Sequence, residues 1–207
     1  MKIRYTLILL LMLPVALGVT AAQPESAAAV MARCAAKVNS AESVTAAFDL
    51  TVGADSYACT LTVSKQKFVL DSQRMKVWYD GTTQWVYETS DRRLSITEPT
   101  ADELLETNPF AILNHYARVY NCRLLKSAPG ATAVELVPKS PATASVRSAV
   151  VTVNDKTNLP AKVVVTLAGG SVMAASLVKT EIGKKLPPST FVYDKNRFKA
   201  SEIIDLR

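Results

Sequence analysis

A side chain that gains and loses protons near neutral pH is the first requirement of most acid–base chemistry, and this sequence has one histidine, His115. A Ser-His-Asp arrangement would have to use it, yet no G-x-S-x-G elbow presents a serine nucleophile. His115 lies among apolar residues in a stretch of helical periodicity, where a structural or surface role is the commoner one. The three cysteines, Cys34, Cys59 and Cys122, fit no zinc spacing and form no C-x-x-C pair. In an oxidising compartment they allow at most one internal disulfide; the default expectation is three buried free thiols, because cysteine is among the most buried residue types. Carboxylates are present without a spacing that singles out an acid/base pair, and no Gly-rich phosphate loop occurs. No catalytic residue, metal ligand or cofactor is expected, and a binding protein is the better class.

The elements that would position a binding site are mostly strands. Met31, Cys34, Ala35 and Val38 fall at i, i+3, i+4 and i+7, which predicts a helix over Ala27 to Val38. From Val44 the period becomes two. Phe48, Leu50 and Val52, then Tyr57, Cys59, Leu61 and Val63, alternate with polar or small residues around Gly53-Ala54-Asp55-Ser56. Short strands follow at Lys67 to Asp71, Lys76 to Tyr79, Thr83 to Glu88 and Arg93 to Thr97, with Asp80-Gly81 as a turn. Consecutive antiparallel strands in a meander are expected. A capping box, Thr100 with Glu103, then opens a short helix through Leu104 and Leu105. Asn108-Pro109 restarts the backbone, and Ile112, Leu113, Tyr116 and Ala117 share one face of a second short helix. Strand signatures resume at Cys122 to Leu125, Ala133 to Pro138, Arg147 to Val153, Ala161 to Leu167 and Val172 to Glu181. Pro187-Pro188 leads into Thr190 to Tyr193, and a last apolar segment reaches Ile203 to Arg207. The class is α+β, mostly antiparallel β.

Residues 1–22 have the order of a cleavable secretory signal. Lys2 and Arg4 precede an apolar run from Tyr5 to Val19, and Thr20-Ala21-Ala22 supplies small residues for cleavage. That run is shorter than the roughly 20 residues a membrane-spanning helix needs. The domain expected is 23–207, exported to the periplasm. Losing Lys2 and Arg4 takes the formal charge from +6 to +4. The remaining charges are scattered as on a solvated surface, so nucleic acid is not an expected partner, and a monomer is.

A curved antiparallel sheet with one apolar face can hold a greasy ligand if something covers its open side. The two helical stripes suit that role, although helices that merely complete the core carry the same stripes. Candidate sheet-side lining residues are Phe48, Leu50, Leu61, Val63, Phe68, Trp78, Trp85 and Tyr87; on the helical side they are Leu105, Phe110, Leu113 and Tyr116. Strand alternation puts Trp78 opposite in face to Val77 and Tyr79. The sequence leaves open which set points inward.

Several segments, in order, resemble the LolA-like carriers of outer-membrane lipoproteins. Asp80-Gly81-Thr82-Thr83-Gln84-Trp85-Val86-Tyr87 is similar to that family's D-G-x-x-x-W-x-Y segment. Val38-Asn39-Ser40 with Ser43-Val44 before Phe48, Val63 to Phe68, Asn108-Pro109-Phe110, Glu135 to Lys139 and Phe191 to Phe198 resemble its other pieces. The resemblance implies an open, incomplete β-barrel with a helical lid over an acyl-chain cavity. It also implies a cargo of acylated lipoprotein or another lipid, taken from an inner-membrane donor complex to an outer-membrane acceptor. Where the family has Arg-Pro at a strand end, with the arginine holding the lid, this chain reads Lys65-Gln66. Lys65 is the corresponding candidate latch, and an ammonium lacks the guanidinium's planar fork. The rival reading is an envelope-sensing or protein-interaction module with a filled interior.

Overall fold

The computed structural model describes residues 25–101 and 103–207, so the signal segment expected at 1–22 lies outside the described residues. Helix α1 (Ala27–Asn39) starts at Ser26, whose Oγ accepts a hydrogen bond from the Ala29 amide at 3.2 Å. Its buried side is Ala27, Val30, Met31, Cys34 and Ala35, the stripe that the i, i+3, i+4, i+7 spacing prescribes.

Strands β1 (Ser43–Val52), β2 (Asp55–Ser64), β3 (Lys67–Ser72), β4 (Met75–Tyr79), β5 (Gln84–Glu88) and β6 (Arg93–Thr97) form the expected antiparallel meander. The Asp80-Gly81 turn closes through the Asp80 carboxylate, which accepts from the Thr82 and Thr83 amides at 2.9 Å each. Gly81 takes a φ of +106° there. The capping box also forms. The Thr100 amide donates to Glu103 Oε2 at 2.7 Å, a bond that lowers the Glu103 pKa, and the Glu103 amide returns to Thr100 Oγ1 at 3.4 Å. Helix α2 (Leu104–Thr107) follows. A 3-10 turn (Pro109–Ala111) is capped by Asn108, whose Oδ1 accepts from the Phe110 amide at 3.0 Å, and leads into α3 (Ile112–Val119).

Strands β7 (Tyr120–Leu125), β8 (Ala131–Pro138), β9 (Val146–Asn154), β10 (Pro160–Leu167) and β11 (Val172–Gly183) continue the antiparallel run, and β11 returns to pair with β1. A bulge at Ala47/Phe48 keeps that pairing in phase and turns Val178 outward. At the C-terminus Pro188–Phe191 is a 3-10 turn, as the proline pair fixes φ and withholds amide donors, and the backbone is extended again at Val192. The last strand, β12 (Glu202–Asp205), pairs with β6 in parallel, the sole parallel ladder among the described strands. The result is one twelve-stranded sheet in the order β12-β6-β5-β4-β3-β2-β1-β11-β10-β9-β8-β7, with β12 and β7 as free edges. It is open and not closed into a barrel.

The two faces have separate cores. The inner face joins α1, α2 and α3 to residues such as Phe48, Leu61, Phe68, Leu70, Val77, Val151 and Ala175. On the outer face of β4 to β6, Trp78, Tyr87 and Leu94 pack beneath Tyr193, Phe198 and Ala200 of the C-terminal segment.

Candidate functional site

Strand alternation decides what can line an inner cavity, and register carries that choice from strand to strand. Phe48 and Leu50 on β1 set the phase. Pairing of Leu50 with Tyr57 and of Phe48 with Cys59 puts the odd-numbered residues of β2 on the same face. Leu61 then meets Leu70, Leu70 meets Val77, and Val77 meets Val86. Trp78 pairs with Trp85, and Tyr87 with Leu94, on the other side of the pleat. Trp78, Trp85 and Tyr87 therefore belong to the outer cluster and not to an inner wall. The physical reason is that the C-terminal segment supplies their partners: the rings of Trp78 and Phe198 meet edge-on at 5.0 Å, and those of Trp78 and Tyr193 at 5.5 Å.

The remaining predicted lining residues all lie on the inner side. Phe48, Leu50, Leu61, Phe68, Leu105, Phe110 and Leu113 are in the inner core, and Val63 and Tyr116 pack against it half-buried. Phe110 meets Phe48 edge-on, with centroids 5.4 Å apart and planes at 84°. Around this contact the interior is nearly solid. The gap lined by Leu61, Val63, Phe110 and Leu113 holds about 40 Å³. A second gap, beside Lys65, Phe68, Leu104, Asn108 and His115, holds about 30 Å³. The expectation of a hollow beneath the helices is thus corrected: the aromatic pair and the leucines fill that space.

The hollow lies beside them. A cavity of about 710 Å³ opens at the end of the sheet where the β1–β2, β3–β4 and β5–β6 turns meet. Its walls are Leu50, Val52, Tyr57, Cys59, Met75, Val86 and Met173, and among the described residues no helical one lines it. That volume falls within the roughly 300–1,000 Å³ of sites for small-molecule ligands. Polar groups form the rim: Asp55, Ser72, Gln73, Arg74, Glu88, Thr89 and Ser90. Arg74 Nη1 donates to Tyr57 Oη at 2.6 Å, and its guanidinium lies 5.2 Å from the centre of the Tyr57 ring. Glu88 pairs with Arg93 at 2.6 Å. A groove of similar size, about 780 Å³, crosses the outer face between β2 to β4 and the C-terminal segment. It is lined by Thr60, Thr62, Asp71, Lys76, Asp194 and Arg197 together with Val69, Trp78, Val192 and Phe198, so charged and apolar groups alternate along it.

Sequence reasoning named Leu50 of this cavity and missed Val52, Tyr57, Cys59, Met75, Val86 and Met173. The bulk of Trp85 and Tyr87 drew attention away from Val86 between them, although Val86 is in phase with Val77. It also missed Gln84, which is 5 % exposed and donates from Nε2 to Thr107 Oγ1 at 2.8 Å. This bond joins the inner face of β5 to the end of α2. Its signal was a polar residue one step inside the D-G-x-x-x-W segment, on the phase of an apolar wall. Lys65 stands in the β2–β3 turn with a left-handed φ of +57°, exposed, beside Asn114 and His115 of α3.

The three thiols are free, Cys34 and Cys59 buried and Cys122 half-buried, so the expectation of three buried thiols needs correction at Cys122. It lies on the edge strand β7, where one flank has no neighbour. Burial pushes the Cys34 thiol up to about 12 and the Cys59 thiol up to about 11, with Asp49 and Asp71 adding to the rise at Cys59.

Comparison with known proteins agrees with this architecture. A search of curated proteins gives no significant match. Among solved structures, the chain is similar to an uncharacterized conserved protein from Thermus thermophilus. That match has 11 % identity and a TM-score of 0.59 and covers 88 % of this chain and 100 % of the other. It is also similar to a putative outer membrane lipoprotein-sorting protein domain from Vibrio parahaemolyticus. There the identity is 11 % and the TM-score 0.50, over 82 % of this chain and 97 % of the other. At such identities the likeness is one of fold. The family profile described as outer membrane lipoprotein carrier protein LolA matches residues 17–183, most of the chain. With the open antiparallel sheet, the helices across its inner face and the apolar cavity beside them, this chain belongs to the LolA outer membrane lipoprotein carrier family.

Proposed function

We propose that this protein is a periplasmic carrier that takes an acyl chain, from a lipoprotein or another lipid, into the cavity at the open end of its sheet and moves it towards the outer membrane. The observation that carries this reading is the 710 Å³ hollow walled by Leu50, Tyr57, Cys59, Met75, Val86 and Met173. Each methylene withdrawn from water is worth about 0.8 kcal/mol, so a long chain supplies ample driving force. A bilayer gives a chain the same burial. Acyl contact alone then sets no direction, and direction falls to an inner-membrane donor and an outer-membrane acceptor.

Longer or additional chains would extend from the hollow into the space that Phe110 and Leu113 now fill, which requires the helical segment to move. Its tethers suit that. They include one part-buried hydrogen bond, Gln84 to Thr107, and the edge-on Phe48–Phe110 contact, each modest in energy. Lys65 stands beside the same segment and serves as a further latch. No step of this function is catalytic, and the carrier works as a monomer after export by a cleaved signal.

A second reading is favoured by one observation, the near-solid packing under the helices, where the two gaps described hold about 40 and about 30 Å³. It makes the protein an envelope-sensing or protein-interaction module without cargo. Native mass spectrometry of protein purified from its own envelope separates the two. Co-purified lipid or acylated peptide, together with uptake of a fluorescent acyl probe, supports the carrier. A clean apo mass with no uptake supports the module.

A further inference from the structure

The rim of the cavity differs from its walls, and one rim residue has a geometry of its own. Arg74 sits in the tight β3–β4 turn, exposed at the mouth. Its guanidinium is spread across the Tyr57 ring and fixed by a single hydrogen bond to Tyr57 Oη. Among the described residues no carboxylate forms an ion pair with it. Glu88, a carboxylate on the same rim, is committed to Arg93. A guanidinium carries five donors, and the contact with Tyr57 uses one of them. Ser72, Gln73 and Ser90 add uncharged polar groups around it, and of the two rim carboxylates, Asp55 and the Arg93-paired Glu88, Asp55 is the one without an ion pair among the described residues.

Resting on the carrier reading above, we propose that the mouth is a headgroup site and that the preferred cargo is an amphiphile with one acyl chain in the hollow and an anionic oxygen group, phosphate or carboxylate, on Arg74. The planar fork matches two oxygens of either anion. Tyr57 holds that fork in place, so little side-chain freedom is lost on binding. The site would give this carrier a selectivity that an apolar cavity alone lacks, because neutral and anionic lipids share the same chain.

Competition against a fluorescent acyl probe tests it with three ligands of equal chain length: a lysophosphatidylglycerol, a fatty acid and a monoacylglycerol. The wild-type protein is expected to bind the two anions about tenfold more tightly than the monoacylglycerol, as a charge-assisted bidentate contact allows. Arg74→Gln should remove that preference, lowering affinity for the two anions about tenfold more than for the monoacylglycerol, and Arg74→Lys should keep only part of it. High salt should shrink the preference in the wild type alone. Loss of the fatty acid's advantage but not the phospholipid's would assign the site to carboxylates; the reverse would assign it to phosphates. Equal affinity for all three ligands, or an equal loss for all three in Arg74→Gln, overturns the headgroup site and leaves the carrier standing. Binding of none of them overturns both.

Discussion

Val86 and Trp85 are neighbours in the chain and face opposite sides of the sheet, which makes them a sharp test of where cargo sits. Val86→Asp places a carboxylate on the wall of the 710 Å³ cavity. Val86 is half-buried, so the change costs the empty protein little. A bound acyl chain alters that. About half of a valine's burial energy, on the order of 1 kcal/mol, is no longer available to the ligand. Covering the new carboxylate without a partner adds at least the roughly 1–3 kcal/mol of an uncharged polar group. The sum is at least about 2–4 kcal/mol, a loss of affinity of roughly 30- to 700-fold or more. Trp85→Ala removes more apolar area, yet from the outer cluster, where Trp85 packs with Trp78, Ile96 and the C-terminal segment. It should lower stability by about 2 kcal/mol and leave affinity within a factor of two, since the partly exposed ring costs less than the 3–5 kcal/mol of a fully buried one. Titration with a fluorescent fatty acyl probe, beside urea unfolding of each variant, gives both numbers. Unchanged binding by Val86→Asp, or an equal loss in folded Trp85→Ala, would refute the assignment of the inner face.

Other outcomes follow from the same contacts. Gln84→Ala removes the bond to Thr107 and should speed hydrogen exchange of the amides of residues 104–119 by about 2- to 12-fold, the equivalent of 0.5–1.5 kcal/mol; exchange unchanged there would mean that this bond does not hold the helices. Phe198→Ala should expose Trp78, shift tryptophan emission to longer wavelength and lower stability, with acyl affinity unaltered; a matching loss of affinity would tie the outer cluster to the site. Cys122, half-buried, should react with a thiol reagent at pH 8 before Cys59 and Cys34. The folded state holds the Cys34 and Cys59 protons to about 12 and about 11, above the ordinary 9.0. The stability this contributes is intact below pH 9 and lost as pH rises through those values. The urea midpoint should therefore fall between pH 9 and 11, and less steeply in Cys34→Ala; an identical slope in that variant would exclude Cys34 as a source.

Local patterns carried most of the fold. The period-two run from Val44 and the turn residues of Asp80-Gly81 are enough to predict the meander, and the Thr100–Glu103 box marks the helical break where it occurs. Pairings distant in sequence left no such mark. Nothing in Glu202–Asp205 signals a parallel ladder with β6, because that contact depends on where the C-terminal segment crosses the sheet. The same crossing decides the inward face of β4 and β5. Alternation separates Trp78 from Val77 but says nothing of which side Tyr193 and Phe198 will cover. The cavity was least legible of all. Leu50 of β1 and Leu61 of β2 share a sheet face and a pattern, yet Leu61 lines the gap under the helices and Leu50 the cavity beside them, a difference set by helix placement.

The central claim, that acyl chains occupy the inner hollow, is tested most directly by photo-crosslinking. A fatty acyl probe with a diazirine near its terminal methyl is irradiated on the protein, and the labelled residues are mapped by mass spectrometry. Labels on Leu50, Cys59, Val86 and Met173 that excess unlabelled lipid suppresses are the expected result. Labels confined to Trp78, Trp85 and the C-terminal segment, or labels indifferent to competitor, would contradict it.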